Sequence, residues 1–87
     1  MDESPLTFPC DLPVKVFGRN DAAFRGAALA IVHRHFEAFD EAQRLSERTS
    51  RADRYVSLTV TVRAESRAQI DALYRELTAS EDILMVL

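Results

Sequence analysis

The stretch Tyr55-Val56-Ser57-Leu58-Thr59-Val60-Thr61-Val62 decides the fold. Its even positions are aliphatic and its odd positions polar or amphipathic, and a period of two places Val56, Leu58, Val60 and Val62 on one side of a β-strand. Valine and threonine branch at Cβ and suit a pleated surface. One face of this strand therefore has to be covered, while the face carrying Tyr55, Ser57, Thr59 and Thr61 stays partly open.

Working outward toward the N-terminus, Leu12-Pro13-Val14-Lys15-Val16-Phe17 has the same alternation and predicts a first strand, with Lys15 and Phe17 on its open side. Gly18-Arg19-Asn20-Asp21 follows as a turn that offers helix N-caps, because Asn and Asp side chains accept bonds from unpaired first-turn amides. From Asp21 to about Phe36 the period becomes 3.6: Phe24, Ala28, Ile31, Val32 and His35 form one stripe, with Ala27 and Phe36 at its margins. Gly26, inside this helix, costs about 1 kcal/mol relative to alanine and marks either close packing or a tolerated flaw. Phe39 to about Ser46 is expected to be a charged edge strand. Glu47 to Arg54 has no apolar residue larger than alanine and is expected to be a mobile hairpin loop.

On the C-terminal side, Ser66 and Gln69 make a capping box. Ile70, Leu73, Tyr74 and Leu77 then repeat at helical spacing. Ile83 to Leu87 is expected to be a last strand, apolar on both faces. The order is β-α-β-β-α-β, and right-handed crossovers place both helices on one side of an antiparallel sheet. The expected fold is thus α+β, a ferredoxin-like sandwich with strand order 4-1-3-2. Residues 1 to 11 would form an irregular lead-in and residues 12 to 87 a single domain.

Composition narrows the function. Hydrophobic residues are 47% of the chain and charged residues 29%, a globular balance. No apolar run approaches the roughly 20 residues that span a bilayer, and Met1-Asp2-Glu3-Ser4 is acidic where a signal peptide is basic. A soluble, cytoplasmic protein with no membrane partner is expected. The single Cys10 makes neither an internal disulfide nor a zinc site. A net charge of −3 argues against nucleic acid as a partner. Ten of the eleven cationic residues are arginine, a bias spread along the whole chain.

Several stretches resemble the YbeD-like family of small bacterial proteins, known as a domain of unknown function or as lipoate regulatory proteins. They are Phe8-Pro9 with Lys15-Val16-x-Gly18, Arg34-His35, Tyr55-x-Ser57-x-Thr59, Leu73-Tyr74-x-Glu76-Leu77 and Met85-Val86-Leu87. The resemblance implies an ACT-like regulatory fold, no established activity and an association with lipoate. Gly18-Arg19-Asn20-Asp21 resembles the first loop of ligand-binding ACT modules. The Pro-Gly pair that opens their helix is replaced here by Ala22-Ala23.

The Gly18 to Asp21 loop is a candidate site for a small anion or amino acid: a glycine lets amides approach, a helix N-terminus is partly positive and Arg19 is a fork of donors. An acylphosphatase-like hydrolase of this fold would use Arg19 or Arg25 with an asparagine on the third strand. The chain's one asparagine is Asn20, so that pair is missing. His33-x-His35 on a helix points its rings about 200° apart, which suits a structural His35 better than a metal pair. No catalytic constellation, metal site or cofactor is indicated.

Lys15, Phe17, Ser57, Thr59 and Thr61 remain as a candidate partner surface on the open face, for a protein or a small metabolite. The apolar C-terminal strand, expected at an edge, demands cover from the lead-in or from another chain. Pairing of two such edges or two open faces would make a homodimer. The function expected is a non-enzymatic regulatory or adaptor domain. An ACT-like small-molecule sensor is the alternative.

Overall fold

A computed structural model describes residues 6 to 87; residues 1 to 5 of the expected lead-in lie outside the described residues. The elements are β1 (Cys10–Arg19), α1 (Ala22–His35), α2 (Glu41–Arg44), β2 (Leu45–Thr49), β3 (Tyr55–Ala64), α3 (Arg67–Ala79) and β4 (Met85–Val86). The strands form one antiparallel sheet in the order β2-β3-β1-β4, the expected 4-1-3-2 counted from the other edge.

The central pair is β1 with β3, in register from Cys10 opposite Ala64 to Arg19 opposite Tyr55. Val14, Val16, Val56, Leu58, Val60, Val62 and Ala64 are buried on one face against the helices. The helices contribute Phe24, Ala28, Ile31 and Val32 from α1 and Ile70, Leu73 and Leu77 from α3, with Phe36 and Ile83 closing the ends. Each buried Val, Leu, Ile or Phe side chain among them stabilises the fold by about 1.5 to 3 kcal/mol before entropy is counted. Caps hold both long helices: Asp21 Oδ1 accepts from the Phe24 amide, and Ser66 Oγ from the Gln69 amide.

β1 runs from Cys10 to Arg19, two residues further at each end than its alternation indicated, because its partner β3 is equally long. Of the stretch Phe39 to Ser46, only Leu45 and Ser46 lie in the edge strand β2; Glu41 to Arg44 are helical. Asp40 caps a one-turn helix through its side chain to the Ala42 amide, and β2 begins at Leu45, the first residue apolar enough to meet Val60 on the core side. Glu47 to Thr49, expected in the loop, belong to β2, and the hairpin shrinks to Ser50–Arg54. The last strand is shorter than Ile83 to Leu87, with ladder residues Met85 and Val86 flanked by Leu84 and Leu87 bonds to Phe17 and Lys15. Gly26 is exposed with open space around it, so its place in α1 is a tolerated flaw.

Candidate functional site

At the C-terminal end of β1 the Gly18 to Asp21 loop is tied up in its own structure. Gly18 is buried beneath the Phe24 ring, and a Cβ there would overlap the ring. Its lack of a side chain serves helix packing rather than the approach of a ligand. Asn20 Nδ2 donates to the Asp53 carbonyl at 2.8 Å, and Asn20 Oδ1 accepts from Arg25 Nη2 at 2.7 Å. Asp21 is spent as the α1 cap. Arg19 is exposed at the end of β1, opposite Tyr55.

Arg25, in turn, grips Glu47 of β2 through two bonds, Nε to Oε1 at 3.0 Å and Nη2 to Oε2 at 2.6 Å. The guanidinium holds the Glu47 carboxyl below its ordinary range by hydrogen bonding and charge. At the other end of α1, Arg34 and His35 both pair with Glu76 of α3, His35 Nε2 at 2.7 Å. The Arg34 bond, then the His35 bond, lowers the Glu76 pKa. His33 turns the other way and bonds Glu41 of α2 at 2.6 Å, with its ring edge against Phe39. The two histidines thus serve different helix junctions. Among the described residues no group of three His, Cys, Asp or Glu side chains converges as a metal site.

The open face of the sheet brings most of the remaining candidates together. Lys15 stands opposite Thr59, which stands opposite Ser46, and Phe17 stands opposite Ser57, which stands opposite Arg48. Lys15, Ser46, Arg48, Ser57 and Thr59, with Glu47 at the edge, line a shallow depression of about 330 Å³. Beyond Phe17 the same face continues into β4, where Met85 is opposite Phe17 and Leu87 exchanges backbone bonds with Lys15. Met85 and Leu87 are 48% and 62% exposed, and Tyr55 is 49% exposed. Ser46, Arg48, Met85 and Leu87 are absent from the sequence-based candidates. Arg48 was hidden in a presumed loop, and its place on this face follows only from the register of β2.

Thr61 sits apart from that depression. It lines a larger cavity of about 550 Å³, with Phe36, Phe39, Arg44, Arg63 and Gln69. The cavity forms where pairing with β2 stops at Val60 and α2 lies beside β3 instead. At its mouth Asp11 is held between Arg44 at 3.2 Å and Arg63 at 3.6 Å. No periodicity in the sequence signalled this cavity, because the one-turn helix that walls it was expected as strand.

At the β4 edge, Tyr74 Oη donates to the Leu87 carbonyl at 3.1 Å. Burial raises the Tyr74 pKa, so the phenol stays protonated and available as a donor. The described lead-in leaves from Cys10, at the end of β1 remote from β4, with Phe8 and Cys10 packed on the core. No helix among the described residues is long and apolar enough to cross a membrane.

Comparison with known proteins places these features in context. A family model described as "Protein of unknown function (DUF493)" matches residues 3 to 87. A UPF0250 protein of Paraburkholderia phytofirmans is 40% identical over 87 residues, covering 100% of this chain and 97% of its own. UPF0250 protein NE1487 of Nitrosomonas europaea is 38% identical over 86 residues, covering 99% and 98%. The solution structure of protein HP0495 from H. pylori matches 98% of this chain and 88% of its own with a TM-score of 0.70 at 12% identity, a likeness of fold.

Proposed function

We propose, for a chain that belongs to the DUF493 family of YbeD-like small bacterial proteins of unknown function, a non-enzymatic binding role in the cytoplasm, exercised through the open face of its sheet. One observation carries the proposal. Half-buried Phe17 and exposed Tyr55, Met85 and Leu87 share an uncovered face with Lys15, Arg48 and the hydroxyls of Ser46, Ser57 and Thr59. Aromatic and aliphatic groups left at a sheet surface beside satisfiable polar ones are what a partner surface needs. By contrast, the polar side chains of Asn20, Asp21, Arg25, Arg34, His35 and Glu76 already serve the fold.

The test is affinity capture from the native cell with the wild-type chain, Thr59→Glu and Asp71→Arg, the last on the exposed side of α3. Thr59→Glu should lose the specific partners and Asp71→Arg keep them. Undiminished capture by Thr59→Glu would contradict the sheet-face role.

A second reading, an ACT-like small-molecule sensor, draws support from a different place than the first loop. The cavity beside α2 has aromatic walls, Phe36 and Phe39, and polar groups from Arg44, Arg63 and Gln69, the mixture common in ligand pockets. A rise in melting temperature with an amino acid or lipoate would support it. Flat shifts across that panel would count against it.

A further inference from the structure

We infer that the open face is built for an acidic protein segment that carries carboxylates beside aliphatic side chains. This names the partner's chemistry and rests on the sheet-face reading above. The chain as a whole is acidic, with a net charge of −3. Its strand register sorts that charge unevenly. The charged strand residues that alternate away from the helices are Asp11, Lys15 and Arg19 of β1, Arg48 of β2 and Arg63 of β3. Four are cations. Glu47, the remaining acid on a strand, turns to the helix side and is paired with Arg25.

Asp11 lies between Arg44 and Arg63. Among the described residues no carboxylate comes within ion-pair distance of Lys15, Arg19 or Arg48. Lys15 and Arg48 are two strands apart and two residues out of line, roughly 12 Å between backbones at ordinary strand spacing and rise, and the hydroxyls of Ser57 and Thr59 stand between them. A carboxylate placed there accepts charge-assisted bonds from the cations and ordinary ones from the hydroxyls. The margin at Phe17, Met85 and Leu87 offers apolar area to an aliphatic neighbour on the same segment.

Two other occupants fit less well. A second copy laid face to face would set Lys15, Arg19 and Arg48 against a like-charged face. A single strand of RNA would lay continuous phosphate along a chain whose net charge is −3, and Met85 and Leu87 cannot stack bases.

Fluorescence anisotropy on the full chain tests the inference with three labelled probes: a short peptide of alternating Glu and Leu, its Lys and Leu counterpart, and an oligouridylate. The Glu and Leu peptide should bind, and its affinity should fall as salt rises. Lys15→Glu combined with Arg48→Glu should weaken it at least about tenfold, since two attractive contacts become repulsive. Lys15→Gln with Arg48→Gln should give a smaller loss, and Asp71→Lys none. The inference is overturned by absent binding of the acidic peptide, by equal binding of the basic one, by preference for the oligouridylate or by indifference to the double reversal. Should one of those results come with Thr59→Glu still abolishing cellular capture, the partner's chemistry is wrong and the sheet-face role stands. If Thr59→Glu captures normally, that role itself fails.

Discussion

The ring of Phe24 occupies the space that a side chain at Gly18 would need. A glycine at the penultimate position of β1 thereby lets the first helix sit down on the sheet, and the same glycine is one that the sequence offers as part of a ligand loop. Gly18→Ala should destabilise the fold by about 1 to 3 kcal/mol, the usual cost of overpacking. Gly26→Ala, with nothing near its Cβ, should stabilise it by up to about 1 kcal/mol through helix propensity. Urea denaturation of the two variants beside the wild type checks both signs.

The two faces of β3 should respond in opposite ways to substitution. Leu58 is 1% exposed, and Leu58→Ala should cost about 2 to 5 kcal/mol. Thr59→Glu, one residue on and facing the other way, should cost less than about 1 kcal/mol, the span of strand preferences. Thermal unfolding followed by circular dichroism separates a loss of fold from a loss of binding.

Acid should loosen the junction of the long helices. Hydrogen bonds from Arg34 and then His35 hold the Glu76 carboxyl below the ordinary glutamate range. A carboxyl with a depressed folded pKa contributes stability that is complete above its unfolded pKa and is lost as pH falls through the folded one. Wild type should therefore exceed Glu76→Gln in stability near neutral pH, and the difference should shrink as pH drops below about 4.5. Denaturant midpoints of both proteins across that range test the sign.

Tyr74→Phe removes the donor to the Leu87 carbonyl while keeping the ring on the core. The expected cost is about 0.5 to 1.5 kcal/mol. It should be local, because β4 is a short edge strand. Amide hydrogen exchange should quicken at Leu87, which bonds to Lys15, and stay unchanged at Val60.

Much of this was legible in the sequence, for reasons that particular residues make plain. Val14, Val16, Val56, Leu58, Val60 and Val62 declare the core face by parity, so Lys15, Phe17, Ser57 and Thr59 fall on the open face without any structure. Phe39 to Thr49 misled because its information is not local. Glu41 to Arg44 are good helix formers capped by Asp40, while Glu47 is fixed in β2 partly by Arg25, which is distant in sequence. With β2 misplaced, Arg48 looked like a loop residue and the concentration of cations on one face was invisible. The turn expected from Gly18 begins only at Asn20, because Gly18 and Arg19 stay paired in β1, and the hydrogen bonds of Asn20 to Asp53 and Arg25 are tertiary.

In-cell photo-crosslinking tests the sheet-face role most directly. A photoreactive phenylalanine analogue placed at Thr59 on the open face should yield a discrete protein adduct, and the same analogue at Asp71 on α3 should yield none. Adducts from Asp71 with none from Thr59 would show that the partner sits on the helices and would contradict the account.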